Sequence, residues 1–255
     1  MICEIIPVFI FILGLCWGSF LNVVAYRLVT AQDFILDRSQ CPTCKQGLAW
    51  YDLIPLISWC ILAGKCRSCA HPISIVYPFV ELLTAVVVTA LWYHIPQQYF
   101  FTYFLFISAL LITVSSDLRT MLISRFVTLF LVPVGILASY FNLLPITVFD
   151  SIAGTLVGTL FLWSIARFFV LVRKKEGIGQ GDIDLLAFIG AFLGVIGSWF
   201  ALCIAACTGA LVGMLYIAIS RLNAGATHIP FGPFLAMGAI IVVFYYNDLM
   251  YYLIY

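Results

Sequence analysis

The sequence predicts an all-α fold, a polytopic membrane bundle of about eight transmembrane helices with one small zinc-binding cytoplasmic loop domain. Three observations predict it. Hydrophobic residues make up 64% of the 255-residue chain and charged residues only 9%, with a mean hydropathy of +1.15. A soluble fold of this size has to carry more charge on its surface. Apolar runs long enough to cross hydrocarbon recur from end to end. When these runs are threaded in order, all 12 Lys and Arg residues fall on one side.

The qualifying windows are about 7–27, 76–95, 100–116, 122–141, 148–170, 184–197, 199–219 and 230–248, the sixth being short. The first runs into more chain without an A-x-A-like site and reads as a retained span. Breakers separate later windows: Pro96, Asn142 with Pro145, Gly197-Ser198 and Pro230. Arg27, Arg38, Lys45, Lys65 and Arg67 lie between the first two windows or at their edge, and Arg119 and Arg125 flank the turn between the third and fourth. Arg167, Arg173, Lys174 and Lys175 precede the sixth, and Arg221 follows the seventh. Glu4, Asp150 and Asp248 take the other side. The positive-inside rule then puts both termini outside and the long loops in the cytoplasm. The chain divides into a first helix (1–29), a polar cysteine-bearing loop (30–75) and a helical core (76–255).

That loop holds Cys41-Pro-Thr-Cys44 and Cys66-Arg-Ser-Cys69. Four thiolates in two C-x-x-C knuckles can close tetrahedrally around zinc, and cytoplasmic thiols are poor candidates for disulfides. With no open coordination position the metal is expected to be structural, the staple of a loop with few core residues. His71 is close enough to compete as a ligand or is a plain loop residue. Cys3, Cys16, Cys60, Cys203 and Cys207 read as small buried hydrophobes, and Asp33, Asp37 and Asp52 as loop acids.

Gly177-Ile-Gly-Gln-Gly-Asp-Ile-Asp184 follows a basic stretch and opens the apolar run Leu185–Val195. Glycines allow close backbone approach, and an acid at a helix start is favoured by the unpaired N–H groups there. Asp182 and Asp117 both fall at cytoplasmic ends of their spans. Ionisable groups at that depth are functional candidates, and two carboxylates sharing a site can run peptide hydrolysis as base and acid. The alternative is two solvated helix caps. Asp184 points to a different helix face from Asp182. Glu81, inside the second window, is either a polar contact within the bundle or a substrate contact. His228 and Phe231-Gly-Pro-Phe234 read as packing at the last turn.

Taken in order, the motifs resemble the type IV prepilin peptidases, the prepilin leader peptidase/N-methyltransferases. Gly18-Ser-Phe-Leu-Asn-Val-Val-Ala-Tyr-Arg-Leu28 is similar to the family's opening signature, and Cys41–Cys44, Trp50–Ser58 and Gly64–Cys69 to its zinc loop. Pro72-Ile-Ser74, Tyr77–Thr84, Asp117, Gly179-Gln-Gly-Asp182 and Ile229–Phe234 follow. The resemblance implies a GxGD-type membrane aspartyl protease with Asp117 and Asp182 as catalytic pair. Gly179, Gly181 and Glu81 would bind or support substrate, and Cys41, Cys44, Cys66 and Cys69 would hold zinc. It implies cleavage of leaders from type IV prepilins or pseudopilins at the cytoplasmic face of the bacterial inner membrane. It also implies N-methylation of the new terminus with S-adenosylmethionine, an activity associated with the zinc loop. Expected partners are prepilins and lipid, not nucleic acid. Departures are Asp184, where the family has lysine or an apolar residue, Ile123-Ser124 in place of Ile-Pro, and Val29 in place of proline. A zinc-bearing transporter or channel using intramembrane acids is the rival class; it expects acids at mid-span rather than at helix ends.

Overall fold

The computed structural model describes residues 2–30, 39–41, 43–174, 177, 179–220 and 230–254. Asp33, Asp37, Arg38, Lys175, Arg221 and His228 lie outside the described residues. The chain is helical: α1 (Ile2–Thr30), a 3-10 turn (Trp50–Leu53), the short α2 (Ile57–Ile61), then α3 (Val76–His94), α4 (Gln97–Thr120), α5 (Arg125–Tyr140), α6 (Val148–Arg173), α7 (Gln180–Ser220) and α8 (Gly232–Ile254). The described residues contain no extended strand, only isolated bridges inside the cysteine loop.

By length and composition, five helices can cross a membrane: Ile6–Val29, Val76–His94, Gln97–Thr120, Val148–Arg173 and Gln180–Ile219. Arg125–Tyr140 and Gly232–Tyr246 are shorter apolar helices. Their outer faces carry Phe9, Phe101, Phe149, Leu171 and Ile219, all exposed. Such a surface suits hydrocarbon and would be untenable in water. Cys16, Cys203 and Cys207 share this outward position and Cys60 is exposed on α2, which corrects their reading as buried; on the bundle's apolar face a thiol has no reason to turn inward. The Cys3 side chain lies outside the described residues.

The first arm of α7 is the centre of the bundle. Leu185–Leu193 is buried on every side, as a helix that is apolar all round must be. Phe188 and Phe192 pack against Phe106 of α4 at ring-centroid distances of 5.0 and 4.8 Å. Gly154 of α6 lies against Gly190 and Gly194, so backbones touch where side chains are absent.

The chain turns back within α7. At Gly194 φ is 71° and ψ −172°, outside the helical region. Before it, Leu186 faces Gly158 and Gly190 faces Gly154, so this arm runs antiparallel to α6. After it, Trp199 meets Phe161 at 5.1 Å, so the second arm runs along α6 in the opposite sense. The predicted break at Gly197-Ser198 is therefore corrected to Gly194. A Cβ at Gly197 would come 2.6 Å from the Leu193 side chain, and the Ser198 hydroxyl donates to the Val195 carbonyl. Both residues belong to the second arm. Each predicted window is helical, the sixth and seventh being the two arms of α7.

Around this centre α8 packs on α7 and α4, and α5 on α7. On the other flank α1 packs on α3 and α4. Gly14 lies on the Ala85 backbone and Gly18 on that of Glu81, so α1 and α3 approach closely.

Candidate active site

Asp117 occupies the last turn of α4, in a buried polar run with Ser115 and Ser116. It is 5% exposed, and its Oδ2 accepts the Gly232 backbone N–H at 3.1 Å. Gly232 is the first residue of α8, where N–H groups have no helical partner. A Cβ there would sit 2.6 Å from that same oxygen, so only glycine lets the backbone donate. Phe231-Gly-Pro-Phe234 is thus more than the packing turn read from sequence: it carries a ligand of Asp117.

Asp182 lies in the first turn of α7, its N–H donating to the Gly179 carbonyl at 3.2 Å. The missing side chain of Gly179 leaves the Asp182 carboxylate uncovered, since a Cβ would lie 3.5 Å from Oδ2. Ile123 couples the two carboxylate-bearing segments. It touches the open face of Gly181, where a Cβ would come 2.8 Å away, and that of Gly232 at 3.2 Å. Gly181 precedes Asp182 and the Gly232 N–H holds Asp117, so Ile123, by touching both glycines, brings the two acids to the same end of the bundle. Asp117, Asp182, Gly179 and Gly181 therefore meet at one place, joined by Gly232 and Ile123.

Asp184 is turned away to the start of α5. It is buried, its Oδ2 accepting Arg125 Nε at 2.7 Å and its Oδ1 accepting Gln180 Nε2 at 3.2 Å. The extra acid next to the pair thus arrives with its own counter-charge. Arg125 was legible in sequence only as a charge flanking a turn.

Glu81 is not with the two aspartates. Its Oε2 accepts the Leu56 N–H at 2.9 Å and so ties the cysteine loop to α3. Leu56 has a φ of 60°, a strained value for a leucine that this bond helps hold. A second polar clamp was missed in the sequence. Buried Asn22 of α1 donates to the Tyr77 carbonyl and accepts from Ser115 and Arg119, joining α1, α3 and α4.

The cysteine loop is built from one turn used twice. Cys41 N–H bonds the Gln46 carbonyl and Lys45 N–H returns to Cys41; Cys66 N–H bonds the His71 carbonyl and Ala70 N–H returns to Cys66. Lys45 and Ala70 hold matching left-handed φ values of 58° and 56°. The four Sγ atoms lie within 4.8 Å of one another, with Cys41 and Cys69 at 3.9 Å. A tetrahedral zinc with Zn–S bonds of about 2.3 Å separates its sulfurs by about 3.8 Å, so the set fits the metal. The Cys44 backbone N–H is the largest cause holding the Cys41 thiol down to about 6, ready to ligate as thiolate. His71 gives the turn its carbonyl and is not among the four clustered groups.

Comparisons with known proteins cover most of the chain. The model of the bacterial peptidase A24 N-terminal domain matches residues 12–95, and that of the type IV leader peptidase family matches residues 104–214. A prepilin leader peptidase/N-methyltransferase of Xanthomonas campestris pv. campestris is 35% identical over 265 aligned positions, covering 93% of this chain and 91% of that protein. A type 4 prepilin-like proteins leader peptide-processing enzyme of Escherichia coli O78:H11 is 34% identical over 260 positions, covering 93% of each. A prepilin leader peptidase/N-methyltransferase of Dichelobacter nodosus is 35% identical, covering 94% and 92%. No solved structure matches the chain.

Proposed function

The chain belongs to the type IV leader peptidase family, and from that premise we propose that it removes leaders from type IV prepilins or pseudopilins with Asp117 and Asp182 as an aspartyl pair. The observation that carries this reading is the convergence of two carboxylate-bearing segments from separate helices, Asp117 held by the Gly232 N–H and the Gly181–Asp182 turn joined to Gly232 through Ile123. Two such carboxylates resist being ionised together and share a proton, which supplies a base and an acid side by side. The ionised member takes a proton from water as it attacks the scissile carbonyl. The protonated member donates to the carbonyl oxygen and takes that proton back as the carbonyl re-forms, while the proton taken from water passes to the leaving amine. Gly232 N–H holds one Asp117 oxygen in place. Gly181 lets Ile123 close on the start of α7, and Gly179 would leave backbone free beside Asp182 for an extended substrate. Because Arg125 neutralises Asp184, the pair is not burdened by a third free charge.

The relatives named N-methyltransferases support a second activity, methylation of the new N-terminus. S-adenosylmethionine would supply the methyl group, and the loop of residues 30–75, stapled by zinc on Cys41, Cys44, Cys66 and Cys69, would be associated with that step. The core of 76–255 would carry the protease. The protein would lie in the bacterial inner membrane as eight spans, with both termini outside and the site at the cytoplasmic face, the side that the Lys and Arg placement favours. The transporter reading has no comparable support: the buried acids other than Glu81 stand at helix ends.

Membranes containing the protein, incubated with a synthetic prepilin and S-adenosylmethionine, should yield a shortened product carrying one added methyl group at its new N-terminus. Intact prepilin after incubation with folded protein would defeat the reading.

A further inference from the structure

We propose that the segment Leu53–Leu62 of the cysteine loop dips into the bilayer, with the outer face of α2 laid against lipid acyl chains; this rests on the bundle spanning a membrane, not on its proposed chemistry. The segment, Leu-Ile-Pro-Leu-Ile-Ser-Trp-Cys-Ile-Leu, holds no charged residue although it lies inside the polar loop. It has two faces. Ser58, Trp59 and Leu62 turn inward and line a cavity between the loop and helices α1, α3 and α4. Ile57, Cys60 and Ile61 turn outward, Ile57 56% and Ile61 73% exposed. Positions 57 and 61 are one helical turn apart, so the two isoleucines share a face. In water that face costs free energy, and against hydrocarbon it does not.

Depth decides between the two solvents. Asn22 bonds the Tyr77 carbonyl, Ser115 and Arg119, so Tyr77 of α3 lies level with the end of α4 that carries Asp117. Glu81 is one turn, about 6 Å, further along α3 into the bundle. Its carboxylate accepts the Leu56 N–H at 2.9 Å, so α2 starts from that deeper level. Gly18 of α1 packs on the Glu81 backbone, and α1 runs on for about 18 Å past this level before it ends at Thr30. At the same depth Phe20 of α1 and Phe79 of α3 face outward, 53% and 52% exposed. Lipid is the neighbour there, and a soluble partner does not reach it. The backbone suits this placement, because N–H groups at membrane depth need partners inside the protein. Those of Leu56, Ser58, Cys60, Leu62 and Gly64 have them, and Pro55 has no N–H to satisfy. The flanks suit it too. Exposed Trp50 and Tyr51 precede the segment, as aromatic residues do at a membrane interface. Asp52 and Arg67, on either side of it, neutralise each other at 2.8 Å.

The test places nitroxide labels at Ile57→Cys and Ile61→Cys in full-length protein in lipid nanodiscs, with Cys3, Cys16, Cys60, Cys203 and Cys207 replaced by Ala. Phe79→Cys is the lipid reference. Gly47→Cys is the aqueous one, since a side chain there meets nothing within 4 Å. Labels at 57 and 61 should collide more with dissolved oxygen than with a water-soluble nickel chelate, as at 79 and the reverse of 47. Collision mainly with nickel would put the face in water and overturn the proposal. Shielding from both reagents, or dipolar broadening between labels on two chains, would mean that protein covers the face and would overturn it equally. If the cysteine-substituted chain loses the wild-type helical circular dichroism, a benzophenone amino acid at position 61 of the otherwise wild-type chain decides. Photo-adducts with phospholipid support the proposal; adducts with protein, or none, overturn it.

Discussion

One backbone N–H holds Asp117, and it comes from a glycine that cannot be replaced without touching the carboxylate. A Cβ on Gly232 would stand 2.6 Å from Oδ2, so Gly232→Ala must displace the acid or the start of α8. A misplacement of that kind costs about 100-fold in rate, and cleavage by Gly232→Ala should fall on that scale while the protein still folds; near-normal cleavage would show that the bond is incidental. The neighbouring acid behaves differently. Asp184 is bonded to Arg125 and Gln180 away from the pair, so Asp184→Asn should keep leader cleavage. Arg125→Gln should lower thermal stability by about 1–3 kcal/mol, because it leaves a buried carboxylate without its counter-charge. Equal stability of Arg125→Gln and wild type would mean the carboxylate is compensated elsewhere. Helix geometry alone separated Asp182 from Asp184 by face. It could not supply Arg125, because the pairing depends on how α5 meets α7.

Among the elements, the cysteine loop was the most legible and α7 the least. Two C-x-x-C knuckles have few other uses in a polar loop, and the structure gathers their sulfurs at metal spacing. Purified protein should carry about one zinc per chain, measured by metal analysis, and Cys41→Ser or Cys69→Ser should lower it and open the loop to proteases. Undiminished zinc after removal of all four cysteines would contradict the site. What the spacing hid is the attachment of the loop to the bundle, which hangs on Glu81 and a leucine in a left-handed conformation. In α7 the reversal lies at Gly194, three residues before the Gly-Ser pair that looks like the breaker. A left-handed φ is cheap only for glycine, and Gly190, Gly194 and Gly197 all offer it. Of the three only Gly194 adopts it, where the chain passes Asp150 at the start of α6.

At the scale of the molecule, composition and the segregation of charge were enough to read a helical membrane bundle, and the structure is one, clothed in exposed Phe and Leu. The encounter of Asp117 and Asp182 was not legible from residue pattern alone, since it depends on α4, α7 and α8 converging through Phe106, Phe192 and Ile123. Shared depth made it possible, and only the resemblance made it an expectation. If the two acids work as one unit, removing either should cost nearly as much as removing both. The decisive measurement is leader removal from a synthetic prepilin by Asp117→Asn, Asp182→Asn and the double variant at matched levels of folded protein. Each single variant should abolish cleavage and the double should be no worse, whereas substantial cleavage by either single variant would contradict the aspartyl pair.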